Sequence, residues 1–404
     1  MTATSQGEQL KQDIDQANRL HKAGRLTEAE EAYLSVLARV PDHPEILRLL
    51  GLLKHQAGDH DAAIDYLSRS TQRAPGNSRA LESLGCLLKE AGRDQEAIAC
   101  FGRAIECNPE QRSAFYNLGM TLAGSDKRLG EAIEAFERAV ALDDSDTLAR
   151  GALASALLKV GEPQSALKNI DAVLCRDPGD VAALAHRIAA LSQLDRLDEI
   201  DRLADLDAMV TVTRFEGNGV FATADDLNRH LARNIIEHPG LGTEKTTVNG
   251  MDTGEILRSD NPAIETLRQF INAAVDEFAS SMPVADDHPL AISRPPTWFL
   301  SGWGVRMWSG GFQVPHYHKD AWVSGVYYVQ LPPSVRSACE SQEGWIELGR
   351  GPGDIFAASG PRTRRIRPQE GLLITFPSYM WHRTLPFEDG DERLCISFNV
   401  VAES

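Results

Sequence analysis

The first half of the chain repeats one pattern of apolar, small and polar positions. Prolines and glycines each recur every 34 residues in a shared phase, at Pro41, Pro75 and Pro109 and at Gly24, Gly58 and Gly92. A Leu-Gly pair and a large aromatic ring also return at fixed places in the unit. Because one such unit cannot bury its apolar face alone, this period predicts a stack of helix pairs. Residues 8–178 are therefore predicted to form five helical units.

Each repeated position has a physical role in this prediction. Small Gly and Ala side chains let two helices approach closely, and the aromatic ring fills the space between neighbouring units. The proline ends the second helix because it cannot continue the backbone hydrogen-bond ladder. The following segment keeps helical spacing at Leu184, Ile188 and Leu191. We expect this segment to cap the stack up to residue 206.

Beyond Asp207 the chain changes to short runs rich in β-branched and aromatic residues, and the repeat is lost. From Trp298 onward these runs are separated by glycine, proline and acidic turns, which predicts an antiparallel sandwich or jelly-roll barrel. A helix that starts after Asn261 is expected to pack one face on the sheet. The predicted fold is therefore multidomain, with an all-α solenoid over residues 8–206 and a β domain with packing helices over 208–404.

Composition narrows the possible partners and the compartment. The chain has 404 residues, of which 42% are hydrophobic and 25% charged, which is typical of folded protein. A formal net charge of -17 repels nucleic-acid phosphates and anionic lipids, so we expect neither nucleic acid nor membrane as a partner. The six cysteines form no CxxC pair, which favours reduced thiols. The first twenty residues lack the features of a secretory signal, so the predicted location is the cytoplasm.

The repeated half resembles the tetratricopeptide repeat, whose unit also has 34 residues and this order of small, aromatic and proline positions. The resemblance covers about residues 8–178, with one extra residue in the fourth unit and Asp144 in place of its proline. It implies that the concave face of the solenoid binds a protein or peptide.

The second half concentrates possible metal ligands in strand-rich surroundings, with His316 and His318 in PHYHKDAW and His382 in FPSYMWHR. Residues i and i+2 of an extended chain face the same side about 6.6 Å apart, so His318 and Asp320 can share an ion. His316 lies about 13 Å from Asp320 along a strand, too far for all three to join one site without a bend. One pair must therefore combine with His382.

The end of the chain predicts a second binding feature near these ligands. If Asp389 and Gly390 form a hairpin turn, His382 pairs opposite Ser397, and Arg393 lies on the same face. A small dicarboxylate fits the distance between a metal held by His382 and the guanidinium of Arg393. One end would chelate a metal held by His382, and the other would pair bidentately with Arg393.

The order His318-x-Asp320, His382 and Arg393 resembles the 2-oxoglutarate and iron(II)-dependent oxygenases of double-stranded β-helix fold. Two histidines and one carboxylate are the ligand set of such iron enzymes. The resemblance runs from about Gly217 to Val401. It implies Fe(II), 2-oxoglutarate and O2, and hydroxylation of an unactivated C–H bond with release of succinate and carbon dioxide.

The resemblance also fixes the predicted roles of individual residues. The metal ligands are His318, Asp320 and His382, with His316 as the alternative because related bacterial and phage sequences commonly carry an HxH pair. Arg393 is expected to bind the cosubstrate. Cys395 stands where the superfamily often has serine, so Ser397 or one of Tyr327 and Tyr328 is expected to supply the missing hydroxyl, and no catalytic side chain is predicted beyond the metal site.

The predicted function is an oxygenase that hydroxylates a protein or peptide recruited by the repeats. One alternative is a repeat scaffold whose barrel has lost its chemistry, against which the intact metal and arginine positions argue. The other is a cupin-type metalloenzyme that needs no 2-oxoglutarate, and Arg393 is the feature that distinguishes it.

Overall fold

The computed structural model describes residues 3–243, 246–282, 284–337, 340–357 and 362–403, with side chains from residue 8 onward. The helices in these ranges are α1 (Ala3–Lys22), α2 (Leu26–Arg39), α3 (Pro44–Gln56), α4 (His60–Arg73), α5 (Ser78–Glu90), α6 (Asp94–Cys107), α7 (Arg112–Leu122), α8 (Leu129–Leu142), α9 (Thr147–Lys159), α10 (Pro163–Leu174), α11 (Val181–Gln193), α12 (Leu197–Leu203), α13 (Ala224–Ile236), α14 (Pro262–Ser281), α15 (Pro289–Ile292) and α16 (Pro333–Ser337). The strands are β1 (Thr211–Arg214), β2 (Thr247–Glu255), β3 (Trp298–Gln313), β4 (Val323–Gln330), β5 (Ile346–Leu348), β6 (Arg364–Ile366), β7 (Leu372–Pro377), β8 (His382–Thr384) and β9 (Arg393–Ala402).

Backbone contacts divide the chain into two compact units, Met1–Ala156 and Leu157–Ser404. We call these the N-terminal unit and the C-terminal unit. Helices α10, α11 and α12 belong to the C-terminal unit together with strands β1 to β9. The predicted domain limits at residues 206 and 208 stay a prediction.

The N-terminal unit consists of successive helix pairs, as the repeat predicted. Three of the repeated prolines follow the second helix of a pair by two residues, because α2, α4 and α6 end at Arg39, Arg73 and Cys107. The rings of Tyr33, Phe101 and Phe136 are fully buried or nearly so. The prediction of a helical repeat with proline stops and buried rings is confirmed.

The repeated glycines have two different roles, whereas the sequence predicted close helix approach for all of them. A Cβ atom on Gly85 would lie 2.6 Å from Cε1 of Phe101, so this glycine does allow α5 and α6 to pack closely. Gly58 instead has open space around its Cα and a φ of +81°. Glycine at this position permits the left-handed turn that ends α3.

Replacing Gly85 with alanine is expected to destabilise the N-terminal unit by about 1–3 kcal/mol, because the added methyl overpacks the Phe101 ring. Gly102 on α6 serves as the control, since a methyl group added there would meet no atom within 4 Å. Gly102→Ala should instead stabilise its helix by up to about 1 kcal/mol. Urea denaturation followed by circular dichroism measures both changes, and equal effects would contradict the packing role of Gly85.

The C-terminal unit contains two antiparallel sheets. The larger has the strand order β1-β7-β4-β9-β3-β2, and the smaller has the order β6-β5-β8. The predicted helix is present as α14, and the side chain of its N-cap Asn261 accepts a hydrogen bond from the Ala263 amide. Its Phe270 ring packs on Tyr327 of β4 at 6.2 Å. An antiparallel β domain with a packing helix is confirmed, and the jelly-roll connectivity stays a prediction.

The predicted hairpin between His382 and Arg393 is wrong. Strand β8 pairs with β5 of the smaller sheet, while β9 pairs with β3 and β4 of the larger sheet. The Asp389-Gly390 segment therefore connects two sheets and does not join neighbouring strands. His382 lies level with Leu348, and Arg393 lies level with Met307.

Two further properties follow from the described part of the chain. None of its helices combines the length and the apolar composition needed to cross a lipid bilayer. Cys86, Cys100, Cys107, Cys175 and Cys395 are free thiols in the described residues. The sixth cysteine, Cys339, lies outside the described residues.

Candidate metal centre

Backbone hydrogen bonds bring the two histidine-bearing segments together. The amide of His316 donates to the carbonyl of His382, and the amide of His382 donates back to His316, both at 3.0 Å. Two residues further on, the His318 amide donates to the carbonyl of Ser378 at 3.0 Å. The segment after β3 is thus joined to the segment between β7 and β8, although 64 residues separate His318 from His382 in sequence.

The possible metal-binding nitrogens of three histidines lie close together. The possible ligand atoms of His316, His318 and His382 all lie within 4.8 Å of one another. The Nε2 atoms of His318 and His382 are 3.2 Å apart. Two imidazole nitrogens bound to one ion at roughly 2.0–2.1 Å lie about 2.8–3.4 Å apart, for bond angles between about 90° and 109°. The observed separation fits two ligands of a single metal ion.

Hydrogen bonds to Nδ1 orient two of the rings. His316 Nδ1 donates to the carbonyl of Val314 at 2.8 Å, and His382 Nδ1 donates to the carbonyl of Met380 at 3.0 Å. A proton held on Nδ1 leaves the Nε2 lone pair free to bind a metal. This backbone support is the usual arrangement around metal-binding histidines. The hydrogen bonds therefore fit a metal site.

Burial keeps all three rings neutral. It lowers the pKa of His318 to about 3, with a further decrease from neighbouring His316. Burial also lowers the pKa of His316, and it holds the pKa of His382 well below its usual value. Metal binding requires unprotonated imidazole. The triad is therefore in the correct protonation state at neutral pH.

Asp320, the carboxylate ligand predicted from the sequence, lies outside this cluster. The chain turns at Lys319 and Asp320 before β4 begins, and Asp320 is exposed. The alternation of an extended strand consequently stops at His318 and does not place Asp320 beside it. The structure brings together the alternative ligand His316 with His318 and His382.

Arg393, the predicted cosubstrate residue, is buried in the wall of the same pocket. It is 1% exposed, and its Nε and Nη1 atoms have no hydrogen-bond partner among the residues that the structure describes. Neighbouring Glu392 pairs instead with Arg306, at 2.6 and 2.9 Å. Leaving a buried charge uncompensated costs several kcal/mol. The guanidinium is therefore placed to receive an anion from the pocket.

The other predicted cosubstrate residues lie on the same pocket wall. Tyr328 and Ser397 both line it, and the buried Tyr328 hydroxyl has no partner among the described residues. The Arg393 guanidinium carbon is 5.4 Å from the centre of the Tyr328 ring. Burial raises the pKa of Cys395 to about 11, so this thiol stays neutral beside Arg393. Tyr327 points elsewhere, since its hydroxyl donates to Asn228.

Several residues around the site are absent from the sequence prediction. The Phe376 ring packs on His382 at 4.6 Å, and Thr384 and Gln313 line the pocket. Thr384 follows His382 by two positions on a strand, so alternation would have indicated it. Phe376 and Gln313 come from other strands, and no local pattern marks them.

A second group of possible metal ligands occurs in the N-terminal unit. His55, His60 and Glu90 bring one ligand atom each within the same 4.8 Å limit. These side chains are partly or fully exposed. Any metal titration of the whole chain has to take this group into account.

Comparison with protein families identifies both halves of the chain. The family described as "Putative 2OG-Fe(II) oxygenase" matches residues 301–399, and the tetratricopeptide repeat family matches residues 14–78 and 83–147. The chain carries tetratricopeptide repeats and a domain of the putative 2OG-Fe(II) oxygenase family. The oxygenase match spans the histidine triad, Arg393 and Ser397.

Each of the following solved structures is similar to less than half of this chain. MamA has 25% identity over 43% of this chain and 94% of that chain and a TM-score of 0.39. PilF of Pseudomonas aeruginosa has 20% identity over 49% and 93% and a TM-score of 0.43. YrrB, a tetratricopeptide repeat protein with an unusual peptide-binding site, has 22% identity over 43% and 92% and a TM-score of 0.39. No curated protein matches this chain.

Proposed function

We propose that the oxygenase domain is an active 2-oxoglutarate and iron(II)-dependent hydroxylase that holds its iron through His316, His318 and His382. The observation that carries this proposal is the buried guanidinium of Arg393, which has unpartnered donors and lines the same pocket as the triad. A dicarboxylate bound to the metal at one end would satisfy the guanidinium donors at the other. A bidentate carboxylate–arginine pair is the strongest hydrogen-bonded match for these donors.

The residues of the chain have distinct roles in this proposal. Bound iron(II), 2-oxoglutarate and O2 supply the oxidising chemistry, with succinate and carbon dioxide as products. The three histidines hold the metal as neutral ligands, so the ion keeps its full charge for an anionic cosubstrate. Arg393 and the Tyr328 hydroxyl orient the distal carboxylate. Phe376 and Trp303, whose rings lie 4.6 and 5.7 Å from His382 and His318, exclude water from the ligands.

The two alternative functions have less support. A barrel without chemistry has no reason to keep three neutral imidazoles close together, two of them oriented by backbone hydrogen bonds. A cupin-type metalloenzyme without 2-oxoglutarate needs no buried cation beside its metal, and an Arg393 whose Nε and Nη1 lack hydrogen-bond partners would only destabilise it. The pocket favours a metal together with a dianionic cosubstrate.

The proposed substrate is a protein or peptide segment, recruited by the concave face of the tetratricopeptide repeats. Repeat solenoids use such surfaces to bind extended partners. The net charge of -17 favours a basic or neutral segment, and raised salt should weaken its binding. We place this activity in the cytoplasm, with no role for nucleic acid or membrane.

Anaerobic titration with iron(II), followed by measurement of succinate release in air, tests the proposal. We expect one equivalent of iron in the oxygenase domain and succinate formation that requires 2-oxoglutarate. Candidate peptides should raise the rate of succinate release. A protein that binds one iron in the triad and yet forms no succinate would be a metalloprotein of another kind.

Arg393→Lys is expected to raise the Kd for 2-oxoglutarate by roughly 10–100-fold, since one charge-assisted hydrogen bond contributes about 1.5–3 kcal/mol. Lysine keeps the positive charge but cannot donate two parallel hydrogen bonds to one carboxylate, as the guanidinium does. Calorimetry with manganese in place of iron measures this Kd without turnover. The metal affinity should change less than about twofold, because Arg393 is not a ligand.

Arg306→Lys is the matched control for this change. Arg306 lies on neighbouring strand β3 and pairs with Glu392 away from the pocket. This variant should bind 2-oxoglutarate as the wild type does. Equal cosubstrate affinity in the Arg393 and Arg306 variants would remove the cosubstrate role from Arg393.

A further inference from the structure

Helix α11, which the sequence predicted as a cap of the solenoid, contacts the segment that carries His382. The indole Nε1 of Trp381 donates to the carbonyl of Ala185 at 2.9 Å, and both residues are buried. Trp381 directly precedes the ligand His382. One hydrogen bond therefore ties the backbone of this ligand segment to the middle of α11.

The other ligand segment contacts the same helix. Tyr317 stands between His316 and His318, and its ring packs edge-on against Trp381 at 4.8 Å. The Tyr317 ring also contacts the His186 ring of α11, with the ring centres 6.0 Å apart. His186, Tyr317 and Trp381 thus form a continuous aromatic contact that touches both ligand segments and the helix.

A second anchor is Leu203, the last residue of α12. The hydroxyl of Tyr379 donates to the carbonyl of Leu203 at 2.8 Å, and this tyrosine is 1% exposed. The carbonyl of Trp381 accepts from the Gly349 amide at 2.8 Å. The four residues from Tyr379 to His382 are accordingly held at both side chains and backbone.

Side-chain alternation explains how contacts outside the pocket act inside it. Consecutive residues of an extended segment face opposite sides, so Trp381 and Tyr317 point away from the metal while their neighbours point toward it. Fixing the outward side chain fixes the Cα position of the ligand beside it. Metal sites depend on such outer supports, and removal of one typically costs 10–100-fold in metal affinity.

We propose that α11 is a positioning element of the metal centre, and that His186 and Trp381 are the residues through which it acts. This inference rests on the proposed function, because it assumes that the triad binds metal. It assigns the end of the repeat array to the catalytic unit and not to a separate recognition module. Neither residue touches the metal or the cosubstrate, and both set the geometry of the ligands that do.

Two variants of the full-length chain test this proposal, each with manganese as the probe. Trp381→Phe keeps an aromatic ring and loses the hydrogen bond to Ala185, and we expect the Kd for manganese to rise about tenfold. His186→Ala removes the ring from the helix side, and we expect an increase of about threefold. His186→Phe restores a ring against Tyr317 and should return the Kd to within about twofold of wild type.

The controls separate positioning from general stability. Trp322→Phe also removes a buried indole donor, here to the Leu290 carbonyl at 2.8 Å, but its ring packs against Phe278 of α14 and not against α11. Arg187→Ala alters the next residue of α11, which pairs with Asp171 on the surface. Both controls should keep the wild-type Kd for manganese, whatever they do to the melting temperature.

The absorption spectrum of the cobalt(II)-loaded protein gives a readout that lost stability alone does not change. Trp381→Phe and His186→Ala should shift the ligand-field bands, whereas the two controls should not. If wild type binds metal and both test variants bind it within about twofold, the positioning role is overturned. If wild type binds no metal at the triad, the proposed function itself fails.

Discussion

Replacing His382 with alanine is expected to abolish stoichiometric iron(II) binding in the oxygenase domain. His382 supplies one of the three possible ligand atoms, and its buried ring contacts Phe376 and the other two imidazoles. The loss of a direct ligand should exceed the roughly 10–100-fold cost of losing an outer support. Anaerobic titration and elemental analysis of the purified protein measure the change. Full iron content in this variant would place the site elsewhere.

His316→Ala should lower iron affinity to a similar extent, while Asp320→Ala should leave it within about twofold of wild type. Asp320 is exposed in a turn and lies outside the cluster of ligand atoms. A larger loss from Asp320→Ala than from His316→Ala would restore the two-histidine, one-carboxylate set. His60→Ala is the control for the second group of possible ligands in the N-terminal unit, and it should leave the triad's equivalent of iron unchanged.

A chain that begins at Leu157 is expected to fold and to bind one iron and 2-oxoglutarate, whereas a chain that begins at Ala208 is expected to lose metal binding and to aggregate. The longer chain keeps the whole C-terminal unit. The shorter chain lacks α11 and α12, so Trp381 and Tyr379 lose their hydrogen-bond partners and their cover. Loss of this cover exposes the two aromatic side chains to water, and the resulting apolar patch favours aggregation.

Size-exclusion chromatography, circular dichroism and metal titration compare the two chains. The longer chain should still turn over 2-oxoglutarate slowly, and hydroxylation of a peptide substrate should fall because the N-terminal repeats no longer raise its effective concentration. Tight metal binding by the shorter chain would place the domain boundary at residue 208 after all. Unchanged kcat/KM for a peptide substrate in the longer chain would assign the repeats to another partner.

The helical repeat could be predicted from the sequence because its contacts are local. Each helix pair packs mainly on its neighbours in the chain, so a 34-residue period in proline, glycine and ring positions is sufficient to indicate the fold. His318, His382 and Arg393 could also be predicted, because their residue types, order and spacing are unusual for structural residues. Their roles in binding a metal and a cosubstrate stay predictions, and the structure places all three residues in one pocket.

The choice between His316 and Asp320 needed the tertiary structure. Strand alternation treats the two positions alike around His318, and it cannot show where the strand ends. The turn at Lys319 and Asp320 directs the Asp320 carboxylate away from His318 and His382. The two backbone hydrogen bonds between His316 and His382 place the His316 ring beside them. A turn formed by contacts between distant strands leaves no strong local signal in the sequence.

The surroundings of the site were also decided by long-range packing. A local hairpin was the simplest interpretation of the Asp389-Gly390 turn signal, yet β8 and β9 belong to different sheets, and the pocket lies between residues of both. The contact of α11 with Trp381 joins positions 196 residues apart. Sequence periodicity indicates which face of a helix or strand is buried, but it does not indicate which other element covers that face. The sequence by itself therefore determined the helical repeat and the antiparallel β domain, while the tertiary structure decided which side chains lie together and which elements they contact.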